Sequence, residues 1–283
     1  MSVAPGSAGW SVASPLWLAA AAVLAYAAAA AAAAPPRAAA EGMAEPPRPA
    51  RWPVMALTLG WALHLVVLLL DIGGWGTSAP GARLGFAPVL SMTVWLVLAV
   101  YAVEQRLAPL PTVRRVLALA GAAAVALAWL FPGEPRPVAS VWAPLHFALG
   151  VACYGLFGAA VLHAALLGNA ERRMRLPGSP GPGSGMPLLQ LERLTFRFVE
   201  AGFAVLTATL LIGALGSVHW TWDHKTVFSL LAWIVFAGLL AGRRLSGWRG
   251  RRATGWLYAG ALLLLLAYVG SRFVLEVMLG RGR

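Results

Sequence analysis

Residues 195–242 read TFRFVEAGFAVLTATLLIGALGSVHWTWDHKTVFSLLAWIVFAGLLAG, two long apolar segments joined by a short polar loop. The loop holds a dense group of chemically useful side chains, Trp220-Thr221-Trp222-Asp223-His224-Lys225. Indoles offer flat apolar faces, imidazole offers a metal-ligating nitrogen, and an ammonium group offers a counter-charge. This mixture suits a flat, anionic, iron-bearing ligand, but an interfacial tryptophan belt with incidental charges would contain the same residues. Both interpretations stay open on the loop alone.

The composition around this loop is that of an integral membrane protein. Of the 283 residues, 60% are hydrophobic and only 11% are charged, against roughly 25% charged residues in soluble domains. The net charge of +12 comes mostly from arginines in short connecting segments, which indicates membrane topology and excludes a nucleic-acid-binding face. The one cysteine, Cys153, allows no intramolecular disulfide, and no Cys-x-x-Cys-His motif for covalent heme attachment is present.

A membrane-spanning helix needs roughly 20 mostly apolar residues. Eight segments meet this requirement, so we predict an all-α, polytopic membrane bundle of about eight helices, near 10–33, 54–71, 86–104, 115–131, 143–168, 195–217, 226–242 and 254–279. The fourth is short for a membrane-spanning helix. In the seventh, Gly238 and Gly242 form a small-xxx-small pair, which predicts close packing against another helix.

The N-terminal part, 1–53, differs in composition from the rest. No Lys or Arg precedes its alanine-rich helix, so we expect a retained helix and no cleaved signal peptide. Residues 35–53 contain six prolines, and this composition predicts a flexible linker on the cytoplasmic side. We therefore predict two parts, an N-terminal helix plus linker over 1–53 and a membrane domain over 54–283.

The distribution of positive charge predicts the orientation. With the N-terminus outside, sixteen Lys and Arg residues lie in cytoplasmic segments and six lie in outer segments and at the C-terminus. This is a positive-inside bias, and it places both termini and the 218–225 loop on the periplasmic side of a bacterial inner membrane.

The histidines then fall at different depths. His146, His219 and His224 lie at the outer level of the membrane. Three histidines at one level are better explained by a shared site than by chance. His64 is near the midplane, on a helix face with Gly60 and Trp61 that offers room for a ligand. Because ionisable residues are costly inside a membrane, we take His64 as a candidate functional residue. Near the C-terminus, Arg272 either forms a snorkelling pair with Glu276 or meets a ligand carboxylate.

The C-terminal third resembles the signature of the cytochrome c assembly family, the tryptophan-rich heme-handling membrane proteins of the CcsA and CcmC type. The resemblance covers roughly 54–279 and is strongest over 190–270. It is carried by a Trp-x-Trp-Asp-x-Lys core, a Ser-Leu pair and a further Trp, which are here Trp220, Trp222, Asp223, Lys225, Ser229, Leu230 and Trp233. The family's Tyr-x-Gly in the last helix corresponds to Tyr268 and Gly270, and its outer heme-ligand histidine corresponds to His146.

The chain departs from the family pattern in three places. Leu215-Gly216 stand where a Trp-Gly pair is usual, His224 replaces a proline, and the second outer histidine after the last helix is absent. These traits resemble the shorter HemX and YpjD branch. They make heme ligation to apocytochrome doubtful, so we expect an assembly factor more readily than an enzyme, with no catalytic residues assigned.

The resemblance implies a protein that binds or presents heme b at the periplasmic face, with other cytochrome c maturation proteins or apocytochrome as partners. His146 and His224 are the expected iron ligands, Trp220 and Trp222 an apolar shelf, and Lys225 and Arg272 the counter-charges of the propionates. Asp223 is expected either to fix the loop or to orient His224, and His64 to mark a deeper heme site. A transporter of another small solute and a structural or regulatory subunit without heme remain alternatives.

Overall fold

The computed structural model describes residues 16–32, 51–72, 82–104, 111–133, 135–136, 142–175, 187–216 and 222–279. Within these ranges the chain forms eight helices, and the predicted all-α membrane bundle is confirmed. The helices are α1 (Leu16–Ala31), α2 (Trp52–Ile72), α3 (Phe86–Glu104), α4 (Pro111–Leu130), α5 (Ala143–Met174), α6 (Leu188–Gly216), α7 (His224–Ser246) and α8 (Gly250–Met278, continuous through two π-helical segments).

Seven of these helices, α2 to α8, are long and apolar enough to cross a membrane. The helix α1 has 16 residues and is shorter. Residues 10–15 and 33 of the predicted first span lie outside the described ranges. The fourth predicted segment is a full helix of 20 residues, which begins four positions before the predicted start. Length and apolar composition therefore identified every helix of the described bundle.

The bundle core has two main parts. The first lies among α1 to α4 and surrounds Tyr26, whose side chain is fully buried. The second lies among α5 to α8 and centres on Phe157 and Phe236, whose rings stack with centroids 3.8 Å apart. Since α1 packs against α2 and α4, the helix of the 1–53 part shares a core with the rest, and the division into two parts remains a prediction.

Contacts between helix ends define the two ends of the bundle. At one end, the ring of Phe86 in α3 packs 5.3 Å from both Phe131, which follows α4, and Phe273 in α8. A two-residue antiparallel ladder, β1 (Ala82–Arg83) with β2 (Pro135–Arg136), joins the neighbouring connections. The start of α5 and the end of α6 also meet there, so we call it the His146 end. The opposite end carries helix ends rich in arginine, and we call it the arginine-rich end.

Two features of α7 place the site residues. Asp223 caps its first turn, and Gly247, with a positive φ of 61°, ends it at the arginine-rich end.

The predicted close packing at Gly238 and Gly242 is confirmed. A Cβ atom would come within 2.9 Å of the Trp256 indole at Gly238 and within 2.4 Å of the Trp248 indole at Gly242. The two glycines thus admit indoles between α7 and α8.

The last helix is not regular. Residues Leu266–Gly270 and Val274–Met278 are π-helical, on either side of a short α-helical piece. The hydroxyl of Tyr154, from α5, donates a hydrogen bond to the carbonyl oxygen of Leu264, one turn before Tyr268. A side chain that competes for a helix carbonyl is a recognised cause of such irregularity, and π segments often occur at functional sites. Tyr268 lies in the first π-helical segment, and Arg272 lies in the α-helical piece between the two.

Candidate functional site

His146 is held in one orientation by α6. It lies in the first turn of α5, and its Nδ1 is 3.0 Å from the backbone carbonyl oxygen of Thr209. Because a carbonyl oxygen only accepts, Nδ1 carries the hydrogen, and in the neutral ring the lone pair is then on Nε2. Metal-ligating histidines are typically fixed by this kind of hydrogen bond to their other nitrogen. The side chain is exposed, so its Nε2 is accessible to a ligand at the His146 end.

A glycine makes room for this ring. The imidazole of His146 lies so close to Gly213 of α6 that a Cβ atom there would be 2.9 Å from Cε1. Real Cβ contacts of that length do not occur, so any larger residue would displace the imidazole or the helix. The sequence predicted His146 as a site residue but indicated neither Thr209 nor Gly213 as its neighbours. A glycine inside an apolar helix was the only available signal, and many helical glycines only mark packing.

The structure describes the tryptophan loop from Trp222 onward, so Trp220 and His219 lie outside the described residues. The Trp222 side chain is 73% exposed. His224 is the first residue of α7 and is also exposed. Both α5 and α7 pack against α6, and His146 and His224 lie in the first turns of these two helices. Neither residue is enclosed by the protein.

Asp223 has the contacts of a helix cap. Its Oδ1 accepts hydrogen bonds from the backbone N–H and the hydroxyl of Thr226, each at 2.9 Å. Two roles were expected for Asp223, to fix the loop or to orient His224. These contacts favour the first role. Partial burial raises the pKa of the Asp223 carboxyl, but the Thr226 hydrogen bonds and the charges of Lys225 and His224 outweigh it and hold the pKa below its ordinary value. The side chain is therefore a carboxylate at neutral pH.

Lys225 and Arg272 meet at one aromatic ring. The Nζ atom of Lys225 lies 5.8 Å from the centroid of Tyr268, and the Cζ atom of Arg272 lies 5.9 Å from the same centroid. The two cations come from different helices, α7 and α8. Both distances fall within the range of cation–π attraction, which offsets part of the repulsion between like charges. The expected pair of counter-charges is thus brought together around Tyr268.

Arg272 is unusual because it is buried. Its exposed fraction is 7%, so it does not extend into water as a snorkelling arginine would. Its Nε is buried and has no hydrogen-bond partner among the described residues. Glu276, one turn further along the helix, accepts a hydrogen bond of 3.4 Å at its Oε2 from the backbone N–H of Phe86 at the start of α3. A buried guanidinium donor without a partner is costly, which favours an anionic ligand at this position.

His64 lies in a different environment. Its ring is fully buried, with Nδ1 at 3.1 Å from the Tyr26 hydroxyl and Nε2 at 2.7 Å from the Ser91 hydroxyl. Three helices, α1, α2 and α3, therefore meet at one imidazole. Both nitrogens are engaged, so iron coordination at His64 would require one of these hydrogen bonds to break.

The space expected beside His64 is filled by protein. A Cβ atom at Gly60 would come within 2.9 Å of the Tyr26 ring, so this glycine accommodates the tyrosine. Trp61 stacks on Trp95 with centroids 4.8 Å apart, and each indole N–H donates to the backbone carbonyl of the other residue. The expectation of a ligand-sized space on this face was wrong, because the sequence did not show that α1 and α3 supply large aromatic side chains here.

A third apolar cluster connects the two halves near the His146 end. Leu68, Val89 and Met92 form its buried centre, and Phe147 and Tyr268 pack against it. Phe147 follows His146, and Tyr268 contacts Lys225 and Arg272, so one cluster supports both parts of the candidate site. Within the described ranges no group of three or more His, Cys, Asp or Glu side chains could hold a metal ion.

Comparison with known proteins identifies the family of this chain. The model of the family described as "Cytochrome C assembly protein" matches residues 55–279. An uncharacterized 28.8 kDa protein of Azospirillum brasilense is 34% identical over 167 residues, which cover 55% of this chain and 61% of that protein. No solved structure matches the chain.

Two further relatives place the chain more closely. The inner membrane protein YpjD of Escherichia coli K12 is 33% identical over 138 residues, 47% of this chain and 52% of YpjD. A cytochrome c biogenesis protein CcsA of Prochlorococcus marinus is 34% identical over 86 residues, 29% of this chain and 27% of CcsA. The chain thus spans about half of YpjD and about a quarter of CcsA. It is a multi-pass inner-membrane protein that belongs to the cytochrome c assembly family and is similar to the YpjD type.

Proposed function

We propose that the protein binds heme b at the His146 end of the bundle and presents it there, on the periplasmic side, during cytochrome c assembly. The observation that carries the proposal is the hydrogen bond from His146 Nδ1 to the Thr209 carbonyl oxygen. It leaves Nε2 as a lone-pair donor, in the tautomer that an iron ligand requires. Bound heme would supply an iron that accepts imidazole nitrogens on its two faces.

The remaining residues fit an anionic, flat ligand. Arg272, with its unpaired buried Nε, and Lys225 would balance the propionates beside Tyr268. A buried guanidinium finds in a carboxylate the partner that matches its planar geometry best. The exposed indole of Trp222, together with Trp220, would provide apolar surface for the porphyrin.

His224 is the proposed second iron ligand. It stands at the start of α7, a helix that packs against α6 as the α5 helix of His146 does, and it is exposed. Asp223 would keep this helix start in place through its cap. His64 is proposed as a deeper site only in a state in which Tyr26 or Ser91 releases its ring.

The proposed partners are heme, the lipid bilayer, and other maturation proteins or apocytochrome that would receive heme at the same end. Nucleic acid is not among them. We propose a heme-handling assembly factor and not a complete ligase. Its iron ligands would come from α5 and α7, whereas the family's second outer histidine is expected after the last helix.

The test is an absorption spectrum of the detergent-purified protein, before and after addition of hemin. We expect a Soret band and a reduced-minus-oxidised spectrum typical of a b-type heme. His146→Gly should lose most of this absorbance, and added imidazole should restore part of it by occupying the vacated position. Imidazole rescue separates loss of a ligand from loss of the fold.

His224→Gly and His163→Ala complete the experiment. The first should shift the spectrum from a six-coordinate to a five-coordinate form while heme is retained. The second removes a buried histidine that bonds to the Ala159 carbonyl in its own helix and should leave the spectrum unchanged in whatever protein remains folded. A wild-type protein that stays colourless with hemin would favour the structural or regulatory alternative.

A further inference from the structure

A second site lies at the opposite end of the bundle. A pocket of about 390 Å³ opens where the first turns of α6 meet the end of α7 and the short connection to α8. Its lining includes Glu192, Arg193, Phe196, Arg197, Arg243 and Arg249. None of these residues belongs to the proposed heme site, and no part of the proposed function uses them.

The pocket is organised around Glu192. Its Oε1 lies 3.2 Å from Nη1 of Arg243 and 3.8 Å from Nε of Arg249, so one carboxylate holds two guanidinium groups. Arg243 also stacks on Phe196, with its Cζ 3.5 Å from the ring centroid. These contacts orient Arg243 and Arg249, which lie at the end of α7 and just after it.

Positive charge in the pocket exceeds negative charge. The lining has four arginines but only two glutamates, and the second glutamate, Glu200, lies 3.6 Å from Arg244 outside the pocket. Arg193 and Arg197 are exposed, and no residue in the described part of the chain forms an ion pair with them. They lie one helical turn apart on α6 and therefore face the pocket from the same side. Two positive charges thus remain without a counter-charge.

We propose that this pocket binds the phosphate group of an anionic phospholipid. Guanidinium pairs bind phosphate oxygens in a bidentate manner, and basic pockets between membrane helices are known to hold lipid head groups. The surroundings fit a lipid better than a free anion. Leu189 in the pocket wall is 77% exposed, and Leu245 near the end of α7 is 86% exposed, so acyl chains would cover apolar surface beside the charged pocket.

The experiment titrates short-chain phosphatidylglycerol into the detergent-solubilised full chain and counts bound lipid by native mass spectrometry. We expect one tightly bound lipid, whose dissociation constant rises about tenfold or more in Arg193→Gln/Arg197→Gln because two charge-assisted contacts are lost. The matched control is Arg51→Gln/Arg115→Gln, which removes the same charge from exposed positions at the same end, outside the pocket. This control should bind lipid like the wild type.

Two further arms identify the ligand. Short-chain phosphatidylcholine carries the phosphate without net charge and should bind at least about tenfold more weakly if unbalanced positive charge drives binding. Inorganic phosphate should compete only weakly if the acyl chains contribute. Equal loss of binding in both double variants would overturn the pocket assignment, and full competition by inorganic phosphate would overturn the assignment to lipid. Unchanged helical content by circular dichroism in each variant ensures that lost binding reflects the pocket.

Discussion

The imidazole of His146 and the backbone of Thr209 are joined by a hydrogen bond of 3.0 Å that crosses from α5 to α6. It connects the histidine expected to ligate iron to a helix that holds no other predicted site residue. Because the acceptor is a carbonyl oxygen, the bond selects the tautomer with a lone pair on Nε2. The position of α6 therefore controls the chemistry of His146, and substitutions in α6 should change heme binding without touching heme.

Gly213→Ala tests this coupling. The added methyl would lie 2.9 Å from Cε1 of His146, so the imidazole must move and its bond to Thr209 must weaken. We expect heme affinity to fall by about tenfold, measured by hemin titration of the Soret band. The matched control is Gly150→Ala in α5, where a Cβ would meet nothing within 4 Å. Equal affinity in the two variants would show that the orientation of His146 is not limiting.

Arg272→Gln tests the counter-charge. Arg272 is 7% exposed and its Nε is unpaired, so a propionate would gain a charge-assisted hydrogen bond there. We expect about a tenfold loss of hemin affinity, from an interaction of roughly 1.5 kcal/mol. With the dimethyl ester of heme, which lacks the carboxylates, variant and wild type should bind alike. A loss of the same size with the ester would indicate a packing defect and contradict the propionate role.

The Tyr26–His64–Ser91 contacts predict a stability effect. Tyr26→Phe and Ser91→Ala each leave one nitrogen of a buried imidazole without a partner, at a cost of about 0.5–2 kcal/mol within a membrane bundle. We expect lower thermal stability in detergent and unchanged heme content for both. His64→Gln should behave in the same way if the residue only connects helices. A selective loss of heme in His64→Gln would instead support the deeper site.

Asp223 predicts a local effect that depends on pH. Asp223→Ala removes the cap of α7 and should cost about 1 kcal/mol, whereas Asp223→Asn keeps an acceptor and should cost much less. The cleanest measurement is hydrogen exchange at the Thr226 amide, which bonds directly to Oδ1. Exchange there should be faster in Asp223→Ala, and equal protection in both variants would contradict the assignment.

The sign of the pH dependence follows from the depressed pKa. A carboxyl whose pKa is lower in the folded than in the unfolded state stabilises the fold when the pH is above its pKa in the unfolded state. This stabilisation declines as the pH falls below the pKa of the unfolded state. It is lost as the pH falls through the pKa of the folded state. Protection of the Thr226 amide should therefore be constant near neutral pH and decline only in acid. Asp223→Asn should show no such decline.

Prediction from the sequence succeeded where the physics is local. Apolar length identified all eight helices, and the small pair Gly238 and Gly242 correctly indicated close packing. It failed where another helix supplies the partner. The space beside His64 is occupied by Tyr26, which is 38 positions away in the chain, and the π segments of α8 accompany a hydroxyl from Tyr154 in α5. The sequence around His64 and the sequence of α8 contain no pattern that indicates Tyr26 or Tyr154 as a partner.

The sequence by itself determined that this chain crosses a membrane many times and to which family it belongs, because hydropathy and the motif from Trp220 to Trp233 are written in consecutive residues. Only the tertiary structure decided that His146 is oriented by Thr209, that Arg272 is buried beside Tyr268, and that arginines of α6 and α7 enclose a pocket at the other end. Such features depend on which helices pack together and on how each is rotated about its axis. Residues that are far apart in the chain jointly determine this packing, so the sequence of one segment does not show it.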